Sequence, residues 1–210
     1  MRKHYFQYIP SNPKKEMILT RLGYKNNVTT LCDSEKEFLN NGIKEGLILC
    51  QPQGIYCILD IIENDGSIIS FENNMKIESS NLSELLKDSK KAVFMFATVG
   101  YEVSERINYE ISSGDASLGV ILDSAASQTA DAAVGWITEF INKLLKRNQE
   151  KLTKYRYSPG YGDLSLHFQK IIFDLLELDN LGVKITDSCM LEPEKSVIAI
   201  SGIERMSING

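Results

Sequence analysis

Histidine is scarce in this chain, since only His4 and His167 occur among its 210 residues. Two histidines leave little material for a histidine-rich metal site or for several histidine-based acid–base roles. The four cysteines match neither the spacing of a paired C-x-x-C zinc site nor a dense disulfide framework, so we expect free, buried thiols. The composition therefore disfavours many enzyme classes, and we predict no bound metal.

Long hydrophobic runs and an excess of positive charge are also missing. The longest uncharged apolar runs, such as 92–99, are far shorter than the roughly 20 residues that a bilayer requires, and the N-terminus shows no signal-like hydrophobic region. A total of 23 basic against 28 acidic residues gives a net charge of -5, which disfavours a phosphate-binding surface. We therefore expect a cytoplasmic protein with neither a membrane nor a nucleic acid as its partner.

The sequence does contain periodic segments and 43% apolar residues, enough for a hydrophobic core. We predict a single domain over residues 1–210, with residues 1–15 as the least structured arm. Because helical and strand patterns come in uneven runs with at least one hairpin, they favour an α+β fold: a twisted, mainly antiparallel sheet with flanking helices and one long central helix. The predicted elements are a helix capped by Ser34 and Glu37, a hairpin over 54–71, a short helix capped by Asn81 and Glu84, a buried strand over 92–98, a helix over 101–112, the long helix over 118–144, a helix after the N-cap Asp163, and strands over 183–186 and 196–201.

One segment without periodicity combines residue types that bind ligands. Residues 155–163 contain one arginine, three tyrosines, a proline and two glycines. Glycines let the main chain approach a ligand closely, the following helix start offers free N–H groups, and Arg156 can bind a carboxylate through two parallel hydrogen bonds. The segment is suited to an amino-acid carboxylate. The alternative is a proline–glycine turn whose arginine pairs with a nearby acid.

The motif Arg156-x-x-x-Gly160-Tyr161-Gly162 is followed by a predicted helix and by the stretches 181–183 and 186–197. Upstream, Leu22-Gly23-Tyr24, Gln51-Pro52 and the run 96–100 continue the pattern. Together they resemble the activation domain of cobalamin-dependent methionine synthase, in the form of its small stand-alone members. The resemblance covers most of the chain, and the R-x-x-x-G-Y-G loop is its most specific part.

This resemblance implies a module that binds S-adenosylmethionine and presents its methyl group to cobalamin held by a corrinoid-binding partner, with an electron donor such as flavodoxin. It would support methionine biosynthesis as an accessory domain of a methyltransferase, with no catalytic acid or base of its own. It further implies that Arg156 contacts the methionine carboxylate, that main chain around Ser158 and Gly160 meets the adenosine, and that Tyr161 walls the site beside Gly162.

The long helix departs from the family pattern. The family's helix offers the ligand a glutamate, whose position here is Gly135, so Glu139 one turn later is the acid that we expect at the ligand. We also expect no counterpart of the family's additional aromatic contact after 196–202. These two losses support an alternative function, a non-catalytic corrinoid-protein interaction module without S-adenosylmethionine binding. Neither histidine lies in a D-x-H-x-x-G motif, so the corrinoid would be carried by another protein.

Overall fold

The computed structural model describes residues 2–25 and 28–206. Its elements, in chain order, are β1 (Lys3–Phe6), α1 (Lys15–Arg21), α2 (Asp33–Leu49), β2 (Gln53–Asn64), β3 (Ile68–Phe71), β4 (Lys76–Glu78), α3 (Ser80–Leu85), β5 (Lys91–Thr98), α4 (Tyr101–Ser113), α5 (Ala116–Leu145), β6 (Glu150–Leu152), α6 (Phe168–Leu176), β7 (Lys184–Ile185), β8 (Leu191–Glu192) and β9 (Ser196–Arg205). This mixture of helices and antiparallel strands confirms the predicted α+β class.

A curled antiparallel sheet organises the fold. Its strand order is β4-β3-β2-β5-β9-β6, and β1 pairs with β2. The central strand β5 is almost entirely buried: Phe94 and Phe96 enter one core cluster, while Val93 and Met95 enter another. Because side chains alternate between the two faces of a strand, an unbroken apolar run indicates that both faces are covered. The prediction of a central strand over 92–98 is confirmed.

The long helix α5 covers one face of the sheet. It has 30 residues, which corresponds to about 45 Å at 1.5 Å per residue. Its residues Ala133 and Ile137 pack in the same cluster as Val93 and Met95. Close packing with α2 depends on small residues, because a Cβ added at Gly46 would lie 2.9 Å from the Cβ of Ala125.

The other face of the sheet is covered by α6. Ile172 and Leu176 of this helix share a buried cluster with Phe94 and Phe96 of β5 and with Ile200 of β9. The sheet therefore separates two apolar layers, and β9 contributes side chains to both, since Ala199 belongs to the layer under α5.

The N-terminal arm is more ordered than predicted. Residues Lys3–Phe6 of this arm, predicted as the least structured part of the chain, form a strand that pairs antiparallel with β2. The aromatic ring of Phe6 meets those of Trp136 and Phe140 edge-on, at centroid distances of 5.2 and 5.1 Å. The open edge of β2 and this aromatic contact together order the arm, although Tyr8 stays exposed. Met1 lies outside the described residues.

Two predicted helix caps are wrong by two residues each. The capping box of α2 joins Cys32 to Glu35, rather than Ser34 to Glu37, and the Cys32 N–H donates to Glu35 Oε2 at 2.8 Å. Helix α3 is capped by Ser79, whose Oγ accepts from the N–H of Leu82, rather than by Asn81. Before α2, Glu35 and Glu37 give two possible acids three residues after a cap, and the helix starts at the earlier one; before α3, Ser79 acts as cap without a partner acid.

All four cysteines are free thiols, as predicted. Burial raises the pKa of the Cys50 thiol to about 11 and that of the Cys57 thiol to about 12, so both remain protonated at neutral pH. The expectation of burial is confirmed for Cys57; Cys50 and Cys189 are only partly buried, and for Cys32, which is exposed, the expectation is wrong. Within residues 2–25 and 28–206, none of the helices has the length and apolar character needed to cross a membrane.

We expect Gly202→Ala to lower the free energy of unfolding by about 1–3 kcal/mol, because an added Cβ would overlap Ser89 Oγ and lie 2.8 Å from Ser89 Cβ. Urea unfolding followed by circular dichroism measures the change. Gly135→Ala is the matched control: nothing lies within 4 Å of its added Cβ, and alanine at this helical position should stabilise by about 0.5–1 kcal/mol. Equal effects of the two substitutions would contradict this packing at Gly202.

Candidate functional site

The start of the glycine-rich loop is attached to the sheet beside β9. Tyr157 exchanges two backbone hydrogen bonds with Ile200, at 2.9 and 2.7 Å. Four residues earlier, the Thr153 N–H donates to the carbonyl of Gly202 at 2.9 Å. These bonds continue the pairing that β6 begins and fix where residues 156–163 leave the sheet. The loop therefore has a defined position relative to the core.

The end of the loop is fixed by Asp163. This residue was predicted to cap the helix that follows it, but α6 begins only at Phe168, with His167 at its N-cap position, so that prediction is wrong. The carboxylate instead accepts hydrogen bonds from the Ser79 hydroxyl and from the N–H groups of Ser80 and Asn81 at the start of α3. The bond from Ser79 makes the largest contribution and lowers the pKa of Asp163; desolvation opposes it, and the backbone bonds from Asn81 and Ser80 lower the pKa further. Asp163 thus connects the loop to α3.

The two glycines of the loop have structural roles. Gly160 has φ +88° and Gly162 has φ +52°, conformations that favour glycine. A Cβ at Gly162 would also overlap the Tyr157 hydroxyl and lie 2.7 Å from Asn81 Nδ2. The N–H of Gly160 donates to the carbonyl of Leu164 at 2.8 Å, so it is used within the loop. These glycines give the loop its shape.

A cleft of about 440 Å³ lies between this loop and α5. Its base is the first part of β9, residues 196–199, where β6 does not extend. Asp131 of α5 lies on one side, and Gln169 of α6 with the loop lies on the other. The cleft therefore opens at a sheet edge, between the layers that cover the two faces of the sheet.

The base of this cleft includes main-chain hydrogen-bonding groups that point away from β5. In an antiparallel strand, alternate residues direct their N–H and C=O groups to opposite neighbours. The N–H and C=O of Ile200 both point to Tyr157. Ile198 is two residues earlier in the same strand, so its N–H and C=O point to the same side of β9, where the pairing with Tyr157 has already ended. The Ile198 side chain itself is buried. A donor and an acceptor of the backbone thus face the cleft side by side.

Arg156 is oriented by the long helix. Its Nη1 donates to Thr138 Oγ1 at 3.3 Å, and that hydroxyl donates to the carbonyl of Val134 at 2.8 Å. Desolvation by the surrounding protein lowers the pKa of Arg156, and the nearby carboxylate of Asp131 acts in the opposite direction. The alternative in which this arginine pairs with an acid is not observed, since the ion pairs within residues 2–25 and 28–206 do not include it.

The residues predicted from the sequence fall into three groups. Arg156, Ser158 and Tyr161 line the cleft, and Tyr161 is 69% exposed, so the wall that it forms is open to solvent. Gly160 and Gly162 shape the loop, as described above. Glu139 is separate from these residues: it is exposed and lines a neighbouring depression of about 430 Å³, together with residues 10–14 of the arm and Gly135.

The structure adds residues that the sequence did not indicate. Asp131 lines both the cleft and the neighbouring depression, and it lies on the same helical face as Gly135 and Thr138. One signal was available, because Asp131 is a single carboxylate among Ala130, Ala132 and Ala133. The contribution of β9 had no such signal, since it depends on where β6 stops.

A larger depression of about 630 Å³ lies elsewhere, between α2 and the first turns of α5. Its lining is mainly apolar, with Phe38 and Val120 among the side chains, and its carboxylate Glu35 already caps α2. The cleft beside Arg156 combines a guanidinium, a carboxylate and main-chain hydrogen-bonding groups, whereas the lining of this larger depression does not. The chemistry of a polar metabolite therefore favours the smaller cleft.

Comparison with known proteins identifies the fold. No protein-family model matches the chain, and no curated protein matches it in sequence. Among solved structures, it is similar to the MetH reactivation domain bound to AdoHcy, with a TM-score of 0.66 and 15% sequence identity over 96% of this chain and 78% of that chain. The chain has the fold of that domain. The expected resemblance is confirmed at the level of the fold.

We expect Asp163→Asn to destabilise the protein at pH 7, because a neutral amide accepts the three hydrogen bonds at the start of α3 less strongly than a carboxylate. Since the folded-state pKa lies below the ordinary value of 3.8, the carboxylate stabilises the fold above that pH and loses this effect as the pH falls through the lower folded-state value. The difference in urea midpoint between the two proteins should therefore shrink at acidic pH.

Asp187→Asn is a suitable control, because that exposed aspartate lies in a turn away from α3. It should leave the midpoint and its pH dependence unchanged. A constant difference between wild type and Asp163→Asn from pH 7 to pH 2.5 (roughly the range in which aspartates titrate) would show that the carboxylate charge is not what connects the loop to α3.

Proposed function

We propose that this chain is an S-adenosylmethionine-binding module related to the MetH reactivation domain, and that its ligand occupies the cleft between the glycine-rich loop and α5. The observation that carries the proposal is Arg156: a guanidinium directed along a cleft by Thr138, without a protein carboxylate bonded to it in the described chain. The solved structure with the same fold is bound to AdoHcy, the demethylated form of S-adenosylmethionine.

The amino-acid end of the ligand fits the Arg156 side of the cleft. A guanidinium has five N–H donors in a planar arrangement that matches a carboxylate. The bond to Thr138 uses one of them, so others remain for a ligand. Each charge-assisted hydrogen bond contributes about 1.5–3 kcal/mol, and Arg156 is exposed, so a ligand in the cleft can reach its guanidinium.

The nucleoside end fits the base and the loop side of the cleft. Pro159, Tyr161 and Val197 supply apolar surface, and the N–H and C=O of Ile198, which point away from β5, supply a donor and an acceptor at adjacent positions. A purine edge presents the complementary pair. Main chain at Ser158 also lines this side, whereas the Gly160 N–H is already bonded to Leu164. The volume of about 440 Å³ lies within the usual range of small-molecule sites, about 300–1,000 Å³.

Two reaction partners are part of the proposed function: a corrinoid protein and an electron donor. When bound, S-adenosylmethionine would supply an electrophilic methyl group to the reduced cobalt of cobalamin on a corrinoid protein, and a one-electron donor such as flavodoxin would reduce that cobalt first. The part of this chain is to bind the ligand and orient it. Because Tyr161 is exposed and the cleft is open, a second protein has access to the ligand. Such a module would act in the cytoplasm.

Isothermal titration calorimetry with AdoHcy tests the proposal directly. We expect wild-type protein to bind, and Arg156→Ala to weaken binding by at least about 10- to 100-fold, since each charge-assisted bond that is lost accounts for a factor of that size. Arg156→Lys should recover only part of this loss, since an ammonium group cannot bind a carboxylate through two parallel bonds.

Lys154→Ala is the matched control. It removes a nearby positive charge that lies over the ring of Tyr155, 5.2 Å from its centroid, outside the residues that line the cleft. Its affinity should equal that of wild type. If folded wild-type protein releases no heat with millimolar AdoHcy or S-adenosylmethionine, the proposal is wrong, and the corrinoid-protein interaction module without a bound metabolite becomes the better explanation of the fold.

A further inference from the structure

Asp131 lies at the candidate site, but the proposed function assigns no ligand contact to its carboxylate. It lines the same cleft as Arg156, and it is exposed. The ion pairs among residues 2–25 and 28–206 do not include it, although three other ion pairs involve acids of α4 and α5. Two opposite charges therefore face one cleft without bonding to each other.

The helix surface between these two charges is open. Asp131, Gly135 and Thr138 share one face of α5, and Thr138 is the residue that contacts Arg156. Nothing lies within 4 Å of a Cβ added at Gly135. Asp131 and Thr138 are seven positions apart, which corresponds to about 10 Å along the helix axis. Gly135 faces the neighbouring depression, which adjoins the cleft at Asp131, and the cleft itself provides the space for a small charged group near the carboxylate and the guanidinium.

We propose that Asp131 binds the α-ammonium group of the ligand, so that Asp131 and Arg156 together select a zwitterionic amino-acid tail. This inference rests on the proposed function, because it assigns a contact within the same cleft. An α-amino acid carries its ammonium and carboxylate on one carbon, and a carboxylate and a guanidinium that line one cleft without bonding to each other complement that pair of charges. The site then discriminates against nucleosides that lack the amino-acid tail.

Glu139 is the other acid of α5 near this region, and its position does not match the role. It lines the neighbouring depression beside Lys14 and Trp136 rather than the cleft that contains Arg156. The nearby negative charge of Asp131 also opposes the desolvation that lowers the pKa of Arg156, which agrees with their shared location. Asp131 is therefore the ammonium ligand in this proposal, and Glu139 is not.

The test compares two variants against three ligands by calorimetry: AdoHcy, its analogue with hydrogen in place of the α-amino group, and methylthioadenosine, which lacks the whole amino-acid tail. Asp131→Asn should weaken AdoHcy binding by about tenfold or more. It should leave the affinities for the desamino analogue and for methylthioadenosine unchanged. Glu139→Gln should leave all three affinities unchanged.

The desamino analogue separates direct binding from an indirect effect on Arg156. If Asp131 only positioned the guanidinium, Asp131→Asn would weaken this carboxylate-bearing analogue as much as AdoHcy, and the proposal would be wrong. Unchanged AdoHcy affinity in Asp131→Asn would overturn it too, while leaving the proposed function in place. Failure of wild-type protein to bind AdoHcy would instead overturn the proposed function, and this inference with it.

Discussion

The attachment of the glycine-rich loop across the edge of β9 is the constraint on which the candidate site depends. Tyr157 pairs with Ile200 at one end of the loop, and Asp163 caps α3 at the other. With both ends fixed to different elements, Arg156 has a defined direction toward α5, and the intervening residues form one wall of a cleft. Fixing a loop in advance reduces the entropy that a ligand must lose to order it.

The same attachment explains why a cleft exists at that place in the sheet. β6 pairs with only the last residues of β9, and the loop covers Ile200, so the edge over residues 196–199 stays open. An unpaired strand edge inside a protein is costly unless water or a ligand satisfies its polar groups. Here that edge lies between the layers formed by α5 and α6, and it combines with a guanidinium and a carboxylate. The architecture thus places a guanidinium, a carboxylate and the main-chain N–H and C=O groups of β9 in one cavity.

Much of the fold was predictable because hydrophobic periodicity records which faces are buried. The buried strand over 92–98, the hairpin over 54–71 and the long helix over 118–144 all appear where the pattern indicated. The predictions that were wrong depended on local choices between near-equivalent residues, such as Cys32 against Ser34 as a cap. Strand β1 was missed because four residues are too few for periodicity, and the partner that orders them is distant in sequence.

The candidate site was only partly predictable, for a related reason. Arg156, Ser158 and Tyr161 stand in one conspicuous segment, and they line the cleft. Asp131 and Ile198 come from elements that look like ordinary core, and only the tertiary arrangement brings them to the same cavity. Asp163 was identified as a cap, but sequence proximity assigned it to the wrong helix, since its partner α3 lies more than 80 residues away.

A crystal structure of this protein with AdoHcy bound tests the central claim most directly. The account predicts the homocysteine carboxylate at the Arg156 guanidinium and the adenine at the edge of β9, with the loop in the position described. A structure grown at saturating AdoHcy in which the cleft is closed by a direct bond between Arg156 and Asp131, with no space for a nucleoside, would contradict it.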